Sequence, residues 1–343
     1  MKKIILLSTV LIFNFCSDQK KVKNSKIEIY DQSIESIIDI YNEFEILADS
    51  ITLPEGPAWD ETTKSLLFVD VINDKILKWN EAEGVSEYIS PAGNTGYAPN
   101  LGQGLLGPNG MTFDNNGNLL VCQHGDRRIA LIKNTQNNKT NFETVIDSYN
   151  DKRFNSPNDL TVASDGSIYF TDPPFSFFDL NTFSFVESEL RELNFSGVFK
   201  FDPSTKIVTA ISEEIRVPNG LGLSPDEKFL YVNKMGKPFS STKSKILKID
   251  LSNLGVETLF EGEDLFEKYK DGSDFDGMAV HSSGNIFTSG PGGLLVISPN
   301  GKLMAKLDFS HITNCTFDSN EKYLYVTGFL DNPKVYRIKL KEN

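Results

Sequence analysis

The chain of 343 residues is 39% hydrophobic and 24% charged, with 25 Gly and 15 Pro, a globular composition that excludes fibrous, collagen-like and wholly disordered classes. Its 47 acidic residues against 34 basic ones give a net charge of −13, which argues against nucleic acid as a partner. Cys16, Cys122 and Cys315 are widely spaced and form no C-x-x-C pair, so neither a disulfide framework nor a zinc knuckle is expected; Cys122 and Cys315 read as small core residues.

The N-terminus reads as a targeting signal. Lys2 and Lys3 precede an apolar run over residues 4–15, too short to span a bilayer comfortably, and Cys16 follows at once. Residues 1–15 resemble a bacterial lipoprotein signal peptide, which implies lipidation at Cys16. Residues 16–43 are rich in Lys, Ser and Asp and read as a polar tether. The expected product is an exported lipoprotein facing the periplasm or cell surface, touching the membrane only through its lipid, and soluble in the periplasm where the lipid is absent.

From residue 44 onward one template recurs: an Asn, Asp or Glu, a small residue, an alternating strand, a polar turn and a second strand. Its six copies are Glu55-Gly-Pro-Ala-Trp59, Asn109-Gly-Met-Thr-Phe113, Asn158-Asp-Leu-Thr-Val162, Asn219-Gly-Leu-Gly-Leu223, Asp276-Gly-Met-Ala-Val280 and Asn314-Cys-Thr-Phe317. Turns such as Asp114-Asn-Asn-Gly117 and His281-Ser-Ser-Gly284 follow, then strands such as Leu119-Leu-Val121 and Ile168-Tyr-Phe170. Intervals of about 40 to 60 residues suit four-stranded propeller blades with some long loops. The expected fold is all-β: a six-bladed β-propeller over residues 44–343, with four-stranded antiparallel blades around a central channel. The segment near residues 44–48 is expected to complete the last blade and remove an exposed edge.

If each template opens the innermost strand of its blade, the six leading residues face one another at one end of the channel. All carry a side-chain oxygen, and two carboxylates with amide carbonyls make a hard-oxygen cage suited to calcium. Asn and Asp also open strands for local hydrogen-bonding reasons, so their convergence, more than any single side chain, points to a metal. Loops between second and third strands should lie at the same end, among them Gln123-His124-Gly125-Asp126 and a long insertion after Asp172 carrying Phe175, Phe177, Phe178, Phe183 and Phe185.

Glu55-Gly-Pro, Ser156-Pro-Asn158-Asp159, Phe170-Thr-Asp-Pro-Pro174, Pro218-Asn219-Gly-Leu221 and Asp276-Gly-Met278 together resemble the gluconolactonase and regucalcin (senescence marker protein) family of calcium-dependent propeller lactonases. Asn109-Gly, Cys122-Gln-His124-Gly-Asp-Arg-Arg128 and Thr313-Asn-Cys315 are similar to its gluconolactonase branch. The resemblance covers nearly all of residues 50–338. It implies that Glu55, Asn158, Asn219 and Asp276 bind Ca2+, with Zn2+, Mn2+ or Mg2+ as alternatives, and that Asp276 is also the general base. Asn109, His124, Arg153, Asp159 and Asp172 are the candidate substrate contacts. His124 is a second candidate base.

The implied activity is hydrolysis of a lactone, a sugar lactone such as gluconolactone first, by water attack on a metal-polarised carbonyl in a monomeric enzyme. A hydrolase of aryl or phosphate esters and a non-catalytic ligand- or protein-binding propeller are the alternatives. Gly102-Gln-Gly104-Leu-Leu-Gly107 matches G-x-G-x-x-G but leads into a Pro and a strand, so no dinucleotide site is expected. His124, His281 and His311 show no metal-ligand spacing.

Overall fold

A computed structural model describes residues 21–22, 26–136, 139–236, 239–240, 242–309, 311–328 and 333–341. The signal peptide expected over residues 1–15 and the lipidation expected at Cys16 lie outside the described residues. Six antiparallel sheets follow one another along the chain, each laid down strand by strand from the channel outward. The innermost strands are Pro54–Asp60, Pro108–Phe113, Leu160–Val162, Pro218–Leu223, Met278–Val280 and Ile312–Phe317, one per blade, numbered here 1 to 6. The six-bladed propeller expected from the repeat is the observed fold.

The period of two along each strand explains why blades stack. In blade 2, Leu119 and Val121 face the core shared with blade 1, whereas Leu120 and Cys122 face the core shared with blade 3. The second strand therefore has two apolar faces, and Leu119–Gln123 is buried throughout. Six such cores, one per blade junction, replace a single central core. Cys122 and Cys315 are buried free thiols in two of them.

The ring closes by joining the two ends of the chain: Phe44–Ala48 pairs with Lys334–Lys339, Ile46 opposite Tyr336, as the fourth strand of blade 6. The preceding residues differ from the tether expected over 16–43. Ile27–Ile29 adds a fifth strand to blade 5, with Ile27 opposite Leu307 and Ile29 opposite Ala305. Lys21–Val22 adds one to blade 6. A 3-10 turn over Gln32–Ser36, capped by Asp31, then buries Ile34, Ile37 and Ile38 between blades 5 and 6. Ile27, Ile29, Ile34, Ile37 and Ile38, one to five residues apart, supply an apolar face that the polar composition of the segment conceals. Glu28 secures this strap: it pairs with Lys26 and lies 3.7 Å from the buried ammonium of Lys306, and these partners hold its carboxyl at about 2.

Candidate active site

Four of the six innermost strands change register at or beside their leading residue: after Glu55, around Asn109, around Asn219 and before Asn314. Such a bulge turns the side chain out of the pleat and into the channel. Glycine follows the leading residue in four blades because neighbouring innermost strands touch there. A Cβ on Gly56, whose φ is +48°, would sit 2.1 Å from the Asn109 carbonyl oxygen, and one on Gly110 would sit 2.6 Å from that of Asn158. Gly110 N donates to Asn158 O at 2.7 Å and Gly220 N to Asp276 O at 2.9 Å, so the close approach is also a hydrogen-bonded ring.

Glu55, Asn109, Asn158, Asn219 and Asp276, from five blades, line one cavity of about 220 Å³. Asn314 does not. Its amide lies a layer deeper, donating to Glu55 Oε2 at 3.1 Å and Asp159 Oδ2 at 3.4 Å, so it offers the channel N–H groups instead of the oxygen expected of it. A larger cavity of about 640 Å³ opens at the other end of the channel, with Asp159 and Asn314 between the two. The smaller one gathers the leading residues and is the candidate site.

Behind the cavity, partners turn its amides. Asn158 Nδ2 lies 3.4 Å from Nε2 of His124, and because an amide nitrogen only donates, Nε2 accepts and the His124 proton sits on Nδ1. Burial pushes the His124 ring down to about 4, so it stays neutral. Asn219 Nδ2 approaches Met235 Sδ at 3.3 Å and supports the Asp276 carboxylate. Both nitrogens being engaged, both Oδ1 atoms remain for the centre. Glu55 Oε2 accepts from Gly56 N at 2.6 Å and from Asn314, leaving Oε1.

The electrostatics suit a cation. Burial raises the Glu55 carboxyl, and burial together with the charges of Glu55, Asp274 and Asp159 holds Asp276 well above its ordinary value. Asp159 is pushed up to about 8 by burial and then by Glu55. Such a group of desolvated carboxylates is stabilised by a cation among them. Among the described residues no three His, Cys, Asp or Glu side chains are grouped to hold a metal, so amide oxygens must complete any set. Glu55, Asn158, Asn219 and Asp276 could supply such an oxygen-only set, a donor chemistry that fits calcium better than zinc.

Four of the expected substrate contacts sit elsewhere. His124 is fully buried behind the cavity, beside the Asn158 amide and the Phe175 ring, and does not line it. Arg153 lies against the Tyr97 ring at 5.4 Å, 4.0 Å from Asp147 and 3.9 Å from Glu192, and does not line the cavity. Buried Asp172 accepts from the backbone of Asn155 at 2.8 Å and Ser156 at 2.7 Å, which fixes the turn that delivers Asn158. Asp159 faces the far mouth. Asn109 alone of the five lines the cavity.

One wall is apolar: Phe175, Phe178, Leu180 and Phe183 come from the blade 3 insertion, and Met235 and Phe239 from the corresponding loop of blade 4. The opposite rim, Gly272, Ser273, Asp274 and His311, belongs to connections entering blades 5 and 6. Sequence reasoning missed this rim. A signal was present, since a connection that ends at a leading residue must lie at the leading residue's end of the channel. Gly104, in the set-aside glycine run, lets its loop pack on Ser176, where a Cβ would lie 2.1 Å from the carbonyl oxygen.

The family model described as SMP-30/Gluconolactonase/LRE-like region matches residues 53–329. A gluconolactonase of Zymomonas mobilis is 31% identical over 322 residues, 92% of this chain and 86% of that one. In fold, a gluconolactonase from Xanthomonas campestris superposes with a TM-score of 0.75 at 24% identity, covering 94% of this chain and all of that one. The calcium-binding protein regucalcin of Agrobacterium tumefaciens gives 0.63 at 13% identity over 87% of this chain and 94% of its own.

Proposed function

The chain belongs to the SMP-30/gluconolactonase/LRE-like family, and from that premise we propose that it is a lactonase, opening a lactone ring with water around a divalent cation held by Glu55, Asn158, Asn219 and Asp276. The observation that carries this reading is the gathering of five leading residues from five blades around one cavity. A calcium ion bound there would stabilise the negative charge that develops on the lactone carbonyl oxygen. The chain's own groups do the rest: the four oxygen ligands set where the carbonyl lies, Asn109 hydrogen-bonds the substrate, and the apolar wall limits bulk water. As base, Asp276 would have to keep one oxygen off the cation.

A sugar lactone is the first substrate to test, since the Zymomonas relative is a gluconolactonase. Gluconolactone opening followed by pH-stat should be abolished by chelation and restored by calcium. Calcium binding with no turnover of any lactone or aryl ester would favour a ligand-binding propeller.

We also propose that the protein is exported and anchored through a lipid on Cys16. The Cys16→Ser protein should then leave the membrane fraction with its specific activity unchanged; equal membrane association of both forms would refute the anchor. Among the described residues no helix is long and apolar enough to cross a membrane.

A further inference from the structure

Two residues of the overlooked rim carry buried polar atoms with no hydrogen-bond partner: Oγ of Ser273 and Nδ1 of His311. Both residues line the cavity that holds Glu55, Asn158, Asn219 and Asp276. A buried polar atom left unpaired is destabilising, so two on one rim point to a ligand that completes them.

The chemistry of His311 is fixed by its other nitrogen. Nε2 contacts the backbone carbonyl oxygen of Asp271, which can only accept, so Nε2 carries the hydrogen and the neutral ring keeps its lone pair on Nδ1. The backbone of His311 has φ +44°, a left-handed conformation that a residue other than glycine holds where its surroundings impose it. Asp271 is itself tied down: Oδ1 accepts from Ser273 N at 3.1 Å and Oδ2 from Gly292 N at 3.0 Å. The imidazole is thus anchored at one nitrogen and unengaged at the other.

We propose that His311 is a catalytic residue of this site, the general base that takes a proton from the attacking water through Nδ1, with the Ser273 hydroxyl hydrogen-bonded to the same water. The assignment rests on the lactonase reading and leaves both oxygens of Asp276 available to the cation. As the water oxygen bonds to the carbonyl carbon, Nδ1 accepts one of its protons and the carbonyl π pair moves onto the carbonyl oxygen. When that pair returns, the bond to the ring oxygen breaks and the proton on Nδ1 passes to it. The product is the hydroxy acid, the imidazole is again neutral, and water is the sole co-reactant.

The test pairs His311→Asn, whose amide suits the left-handed backbone but is no base, with His311→Ala. Against gluconolactone and an alkyl-substituted δ-lactone at saturating calcium, kcat should fall about a hundredfold or more in both, with KM within about threefold. Calcium binding by calorimetry should match the wild type, and millimolar imidazole should restore His311→Ala at least tenfold but leave His311→Asn unchanged. A kcat within threefold of wild type overturns the assignment. So does a loss that imidazole does not repair and that comes with weakened calcium binding, the signature of a structural role. Should His311→Ala fail to fold, His311→Asn decides by kcat and calcium affinity. If the wild-type chain opens no lactone, the hydrolase reading itself fails and this assignment with it, an outcome the wild-type control separates from the others.

Discussion

An amide presents its oxygen to a cation reliably only when its nitrogen is engaged elsewhere, and His124 gives Asn158 that partner. The His124 ring is buried, neutral and stacked beside Phe175, their centroids 6.3 Å apart, while its backbone carbonyl accepts from Ser176 Oγ at 2.7 Å. It behaves as a positioning residue. His124→Phe preserves the aromatic packing but removes the acceptor, leaving the Asn158 amide free to rotate. Calcium affinity should fall about tenfold or more, as for other groups that orient a metal ligand, while kcat at saturating calcium stays within a few-fold. Calorimetry with calcium and turnover at high calcium check both halves; an unchanged affinity would show that the 3.4 Å contact does not orient Asn158. The sequence showed His124 on a loop at the correct end of the channel, but not that the ring points inward behind the ligands. A lone His in a short loop has no periodicity from which its direction can be read.

At the scale of elements, the repeat was legible because each blade must bury both faces of its second strand and open its first with a polar residue, and both demands leave a pattern at fixed spacing. The rim was not legible. Connections into leading residues vary in length, and His311 sits three residues ahead of Asn314 without any recurring counterpart. Nor does composition show how residues 26–43 pack, since Ile27, Ile29, Ile34, Ile37 and Ile38 are diluted by charged neighbours. The blade 3 insertion was legible as phenylalanine-rich, and the structure turns it into a wall: Phe178 packs 5.1 Å from Phe183 and 5.5 Å from Phe239, ring centre to ring centre. Phe183 is nonetheless 53% exposed, as is 51% of Leu180, although both line the cavity. An apolar surface kept open beside a polar floor favours a lactone with an alkyl or aryl substituent. Phe183→Ser should therefore raise KM roughly tenfold for an alkyl-substituted δ-lactone, the effect of exposing about 50 Å² of apolar contact, and leave gluconolactone within about twofold. Equal effects on the two substrates would remove the wall from substrate binding.

At the scale of the whole molecule, the ring gathers buried carboxyl groups at its axis, and this gives stability a distinctive dependence on pH. In the folded chain burial raises Asp159 to about 8, Glu55 to about 7 and Asp274 to about 6, against ordinary values of 3.8, 4.5 and 3.8. Between about pH 4 and pH 8 these carboxyls bind more protons in the metal-free folded state than in the unfolded chain, and their contribution to stability rises as pH falls through that window, opposed below about pH 6.5 by His124, whose buried ring is held down to about 4. At the periphery the sign reverses. Glu28 is lowered to about 2 by Lys26 and the surrounding strap, so its contribution is present above its ordinary value of 4.5 and is lost as pH falls towards 2. The two trends place the stability maximum of the metal-free protein near pH 5. Calcium bound as proposed would compete with protons for the axial carboxylates, so its effect should be largest near pH 8 and fade towards pH 5. At a hundredfold excess over its Kd, stabilisation of about 2.7 kcal/mol corresponds to a rise in Tm of roughly 4 °C for a domain of this size. Thermal unfolding in chelator and in calcium across pH 5 to 8 would show two curves converging at the acid end. Parallel curves, or a metal-free Tm that climbs with pH, would mean that these carboxylates are already ionised in the empty channel and that calcium does not bind among them.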